Sequence, residues 1–138
     1  MSLNKVETVI KLMQIVDNCC VIVNPSKSYC ICIITPNLKK SQEFLIDKKV
    51  DLGGSDLNPD ELLKLIVDKS HLVMSDFAKD LKDHCLKHNL SSFEIPSKVR
   101  FVSEIWLPDS GLVTDSFKLK RREIENFYSA QIKLLFTD

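Results

Sequence analysis

Cys19-Cys20-Val21-Ile22-Val23-Asn24, then Pro25-Ser26-Lys27-Ser28, then Tyr29-Cys30-Ile31-Cys32-Ile33-Ile34-Thr35 decides the fold. Two β-rich runs flank a four-residue connection, a length usual for a β-hairpin. Cys30 and Cys32 stand two apart and so share one face of their strand as small hydrophobes. Upstream, Val6, Val9, Ile10 and Met13 return every three or four positions, which predicts a short amphipathic helix. Downstream of Pro36, Leu38 to Asp47 reads as a helix, and Gly53-Gly54 with their polar neighbours read as a loop. Asn58 followed by Pro59-Asp60-Glu61 supplies an N-cap, a proline at the first helical position and acids in the first turn. That helix should run to about Lys69. Met74, Phe77, Ala78, Leu81 and Cys85 form the apolar stripe of the next, ending near Asn89. Lys98 to Val102 reads as a third strand with Pro96 at its edge. Pro108 to Gly111 supply turn residues, after which Ile124, Phe127, Tyr128 and Leu135 recur at helical spacing and point one last helix at the core. The expected architecture is α+β, a small three-stranded sheet with about five flanking helices, in one domain spanning 1–138.

Composition narrows the functional classes. A chain of 138 residues can hold a sizeable core, and 44% hydrophobic with 28% charged residues is the balance of a globular domain. No stretch approaches the ~20 apolar residues of a bilayer span. Lysine plus arginine equals aspartate plus glutamate at 19 each, so global charge argues for neither nucleic acid nor an anionic membrane. Five cysteines, an odd number with no C-x-x-C pair and no signal peptide, point to a reducing, intracellular setting. A thiolate metal site needs four convergent ligands, and none stands at suitable spacing. His84 and His88, at i and i+4, could in principle chelate a metal. Only Asp80 and Cys85 lie nearby as further ligands, and His88 leans toward the apolar face near a helix C-terminus, where a cationic imidazole is favoured anyway. The expectation for metal is therefore none.

Chemistry concentrates in Gly111-Leu112-Val113-Thr114-Asp115-Ser116-Phe117-Lys118-Leu119-Lys120-Arg121-Arg122. Turn residues precede this stretch and a helix follows, so its basic cluster sits on a loop and a first helical turn. Positive charge at a helix N-terminus opposes the macrodipole by a few tenths of a kcal/mol per group. A structural role alone explains Lys120, Arg121 and Arg122 poorly, and an anionic partner explains them better. Lys118 carries three donors and a compact charge on a flexible stem, suited to an anionic oxygen.

Taken with Phe93-Glu94-Ile95-Pro96-Ser97-Lys98-Val99-Arg100, Trp106 and Tyr128, this stretch resembles the C-terminal domain of the long-chain fatty-acid–CoA ligases, members of the adenylate-forming superfamily. Ser2-Leu3-Asn4-Lys5-Val6-Glu7 resembles the end of that family's hinge-proximal motif. The resemblance implies the architecture already read from the pattern. It also implies that Lys118 is catalytic in adenylation, where a fatty-acid carboxylate attacks the α-phosphorus of ATP bound with Mg2+ and placed positive charge lowers the barrier. Coenzyme A then takes the acyl group, with Lys120 and Arg121 as candidate contacts to its phosphates. Many superfamily members have glycine before this lysine, whereas long-chain ligases tend to place a large apolar residue there, here Phe117.

The family's nucleotide loop, acyl pocket and hinge aspartate would lie upstream of residue 1. The expectation is a domain of a larger enzyme, inactive alone, whose partner is the N-terminal domain of the same polypeptide. With Gly53, Gly54 and Gly111 as its only glycines, the chain has no G-x-x-x-x-G-K phosphate cradle. For the full-length protein the resemblance implies the cytosolic face of endoplasmic reticulum, mitochondria or lipid droplets. The rival reading is a non-catalytic interaction module that binds an acidic partner through Lys118 to Arg122. A nucleic-acid binder is disfavoured, since no aromatic residues interleave the basic cluster.

Overall fold

The computed structural model describes residues 1–53 and 56–137. Strand β1 (Val16–Val23) pairs antiparallel with β2 (Cys30–Pro36) as the hairpin pattern required, with Val21 opposite Cys32 and Val23 opposite Cys30. Strand β3 (Lys98–Phe101) joins β2 in parallel, so β2 is the central strand and is buried along its whole length. A central strand covered on both faces must be apolar at every position, which accounts for the unbroken Cys30 to Ile34 run.

Strand alternation splits the core in two. Cys19, Val21, Cys30, Cys32 and Ile34 face one layer, made by α1 (Leu3–Ile10) and α4 (Met74–Lys87) through Val6, Ile10, Phe77 and Leu81. Cys20, Ile22, Ile31 and Ile33 face the other, built from Trp106, Leu112, Val113, Ile124 and Tyr128. A third, smaller cluster around Leu45 and Ile66 joins α2 (Leu38–Asp47) to α3 (Pro59–Lys69). The helix start read at Asn58 is a full capping box: its side chain accepts from Glu61 N at 2.8 Å, while Glu61 accepts from Asn58 N at 3.4 Å. The loop expected at Gly53-Gly54 lies partly outside the described residues. Gly53 itself has φ 75°, in the left-handed region.

The α+β class and the three-stranded sheet stand as expected, with six α-helices among the described residues where the pattern gave about five. The extra one arises at the C-terminus, where the final helix divides into α5 (Arg121–Phe127) and α6 (Ser129–Leu135). Helical hydrogen bonds cross the junction, Tyr128 N to Ile124 O at 3.0 Å and Ile132 N to Tyr128 O at 2.9 Å, yet Tyr128 leaves helical geometry at φ −102°, ψ 22°. Its fully buried phenol explains the departure. The hydroxyl donates to Glu104 Oε1 at 2.9 Å and accepts from Trp106 Nε1 at 3.0 Å, which fixes the side chain from below. The kink also corrects one core assignment: Phe127 turns outward and is exposed.

His88 requires a correction as well. It follows the last residue of α4, off the apolar stripe, and lies exposed with its ring 4.3 Å from that of His84. The more covered member is His84, whose Nε2 lies 2.7 Å from the carbonyl oxygen of Val9 and ties α4 to α1. All five cysteines are free and buried. Among the described residues no helix is long and apolar enough to cross a membrane, and no three His, Cys, Asp or Glu side chains converge as a metal site.

Candidate active site

The lysine stretch folds as a miniature hairpin standing on the second core layer. Gly111, at φ 79°, ends a single 3-10 turn (Pro108–Ser110) in the left-handed region that glycine occupies at no steric cost. Leu112 and Val113 then plunge into the core. Val113 bridges Leu119 antiparallel, and Lys120 N donates to Leu112 O at 2.9 Å, which closes the base. Between them the chain reverses within four residues: Thr114 N donates to Lys118 O and Phe117 N to Thr114 O, both at 2.8 Å. The Thr114 hydroxyl braces the tip, accepting from Lys118 N at 3.1 Å and lying 3.1 Å from Ser116 Oγ. The first strand of this hairpin is rooted in buried Leu112 and Val113 and the return strand in half-buried Leu119, while the tip is exposed, so the backbone of Lys118 is braced while its side chain reaches out.

Phe117 completes the turn with φ 63°. Glycine would be comfortable there, whereas a bulky L-residue bears a cost of about 1–2 kcal/mol. The phenylalanine of this chain therefore occupies a backbone course that suits glycine. Three non-glycine residues among those described have positive φ: Lys49, Asn89 and Phe117. The first two sit just past α2 and α4, and the residues after them satisfy helix carbonyls, Val50 N to Leu45 O and Leu90 N to Cys85 O, each at 3.0 Å. Phe117 ends no helix. Its side chain instead lines a cavity of about 290 Å3 together with Leu63, Ile105 and Trp106.

The four basic residues divide sharply. Among the described residues the ammonium groups of Lys118 and Lys120 have no hydrogen-bond or ion-pair partner. Arg121 does have one. Its Nη2 donates to Glu7 Oε1 at 2.5 Å and its Nη1 to Glu7 Oε2 at 2.9 Å, a bidentate pair in which the carboxylate is 3% exposed and the guanidinium 35%. The Glu7 hydrogen bond raises the Arg121 pKa further, beyond any accessible pH. The pair also closes the free edge of β1, where Glu7 Oε2 accepts from Val21 N at 2.7 Å and Arg121 Nη1 donates to Val21 O at 3.4 Å. The anion that the sequence demanded for Arg121 is thus internal. Sequence reasoning did not find Glu7 in this role. Its signal was a carboxylate three residues before Ile10, on the flank of the apolar stripe of α1.

No protein-family model matches the chain. Solved structures do match its fold. The adenylation domain of a Mycobacterium chelonae carboxylate reductase aligns at TM-score 0.72 and 22% identity over 100% of this chain and 18% of that one. A carboxylic acid reductase didomain from Segniliparus rugosus, solved with AMP, aligns at TM-score 0.74 and 17% identity over 99% of this chain and 16% of its own. The chain has the fold of the C-terminal domain of an adenylate-forming enzyme. Among curated proteins it is 28% identical over 137 residues to fatty acyl-CoA synthetase B of Dictyostelium discoideum, 99% of this chain and 19% of that protein. It is 30% identical over 135 residues to long chain acyl-CoA synthetase 8 of Arabidopsis thaliana, 98% of this chain and 18% of that protein. Over nearly its whole length the chain is therefore similar to long-chain acyl-CoA synthetases, and it spans about a fifth of the length of these relatives.

Proposed function

We propose that this chain serves as the C-terminal domain of an ATP-dependent long-chain fatty-acid–CoA ligase, and that Lys118 is its adenylation lysine. One observation carries the reading: an unpartnered ammonium on an exposed tip whose backbone is braced at both ends. Such a group fits an anionic, phosphate-bearing substrate. The nucleotide and acyl sites belong, on this reading, to an N-terminal domain of the same polypeptide. There the fatty-acid carboxylate attacks the α-phosphorus of ATP accompanied by Mg2+, the bond from that phosphorus to the α,β-bridging oxygen breaks, and pyrophosphate leaves with its electron pair. Lys118 donates hydrogen bonds to the oxygens on which negative charge gathers, and a preorganised charge of this kind is worth more in a water-poor site than in solution. Coenzyme A thiolate then attacks the acyl carbonyl and AMP departs.

Of the two residues assigned to coenzyme A phosphates, Lys120 retains a free charge, while Arg121 is engaged by Glu7 and anchors α5. The coenzyme A contact is accordingly assigned to Lys120. Binding of an acidic protein partner through Lys118 to Arg122 loses force for the same reason. The same proposal puts the full-length enzyme at the cytosolic face of endoplasmic reticulum, mitochondria or lipid droplets.

Lys118→Ala in the full-length enzyme tests this. Pyrophosphate release should fall by about 100-fold or more, while thioester formation from preformed acyl-adenylate continues. Equal loss in both half-reactions, or no loss in the first, would remove Lys118 from the role.

A further inference from the structure

We propose that Phe117 is a positioning residue whose ring, seated against the cavity walled by Leu63, Ile105 and Trp106, holds the tip of the hairpin so that Lys118 projects in one direction. The proposal rests on the adenylation reading of Lys118 and goes beyond it by assigning a role to its neighbour.

Three observations combine. First, Phe117 adopts φ 63° although nothing in helix termination calls for it, unlike Lys49 and Asn89. A strained conformation persists only where the surroundings over-determine it. Second, the hydrogen bonds of the turn do not themselves require a ring: Phe117 contributes only its backbone N–H, to Thr114 O, and glycine would donate it equally well. What phenylalanine adds is its side chain, which borders the cavity also lined by Leu63 of α3, Ile105 and Trp106. Third, the Trp106 part of the wall is fixed. Trp106 is buried and its indole N–H is held by Tyr128, whose hydroxyl is held in turn by Glu104. The tip therefore stands beside a fixed support, one residue before the ammonium that must be placed. At 56% exposed, the ring is only partly covered, so its effect falls on local order more than on global stability.

Four variants separate anchor from backbone. Phe117→Gly relieves the backbone and removes the anchor. Phe117→Ala removes the anchor and keeps the strain. Phe117→Leu keeps an apolar side chain that can reach the wall, and Lys118→Ala reports on the underlying reading. In the 138-residue chain, backbone amide order at Ser116 to Lys118 should fall from a rigid value near ~0.85 to below ~0.6 in the Ala and Gly variants and stay high in Leu. The melting temperature of each should remain within about 3 °C of wild type. In the full-length enzyme, pyrophosphate-release kcat should drop about 10- to 100-fold for Ala and Gly, with the KM for ATP changed less than about twofold. Leu should recover most of the rate, and thioester formation from preformed acyl-adenylate should be unaffected throughout. Unchanged tip order in Phe117→Ala, or a Gly variant as fast as wild type, overturns the proposal. If Lys118→Ala abolishes pyrophosphate release and Phe117→Ala does not, the positioning role alone fails. If Lys118→Ala is itself harmless, both assignments fall.

Discussion

Replacing Arg121 by methionine removes the charge that faces Glu7 while keeping a side chain of comparable reach. The carboxylate left behind is 3% exposed and is already committed to the Val21 N–H at the edge of β1, so it cannot turn out to water without breaking the sheet closure. Deleting one partner of a buried ion pair costs ~3–5 kcal/mol. Here the guanidinium is 35% exposed, and water entering its place recovers part of that loss. We expect a net destabilisation of about 2–3 kcal/mol. For a domain of this size that corresponds to a fall in Tm of roughly 7–10 °C. Glu7→Gln should behave differently: the amide oxygen still accepts from Val21, the freed guanidinium can swing into solvent, and the cost should be about 1 kcal/mol. The double variant leaves no buried charge and should be more stable than Arg121→Met alone. Urea unfolding followed by Trp106, the sole tryptophan, measures all three on one scale. Equal losses in the two single variants, or a double variant showing their full sum, would refute the buried-carboxylate reasoning.

Two further outcomes follow from the core. Tyr128→Phe strands the buried Trp106 indole N–H and should cost about 1–3 kcal/mol in urea unfolding, with a change in native tryptophan fluorescence; unchanged stability would mean the network is slack. Burial pushes the Cys85 thiol up to about 11 and the Cys20 thiol up to about 12, the latter with help from Glu7. Both folded values lie above the ordinary thiol value of 9.0, so the unfolded chain releases these protons first. The stability they supply is complete below pH 9 and is lost as pH rises toward those values. The urea midpoint should therefore fall between pH 9 and 11, less steeply in Cys85→Ala, and a slope unaltered in that variant would exclude the thiol as its source.

The sheet was legible because its signals are local and redundant. Cys19 to Thr35 contains both strands and the connection between them, and period-two alternation assigns each residue to a core layer without knowledge of what covers it. The capped start of α3 at Asn58 was legible for the same reason, since cap, proline and acids lie within four consecutive positions. The C-terminal kink was not, because its cause is distant. Tyr128 leaves helical geometry under the hold of Trp106 and Glu104, 22 and 24 residues earlier in the chain. Helical spacing could count Phe127 and Tyr128 as apolar neighbours. It could not tell which of the two would be drawn under.

The candidate site divides along the same line. Lys118 was proposed through the resemblance, on motif residues contiguous in sequence, whereas the two features proposed to hold it in place depend on long-range contacts. Glu7 stands 114 positions from Arg121, and no local pattern pairs a carboxylate on the flank of one helix with a guanidinium at the start of another. Phe117 is subtler, since its identity was noticed and its conformation was not. A large apolar residue where glycine is common could mean a different backbone course or the same course under strain. Only φ decides, and at 63° it is the left-handed course that glycine takes without strain. Arg121 clamps the helix that follows the hairpin onto the sheet edge, and Phe117 steadies its tip against the opposite support of α3 and Trp106. On the adenylation proposal, a lysine that enters another domain's site carries its own conformational entropy, and fixing the backbone on both sides leaves only the side chain's to be lost at the moment of reaction.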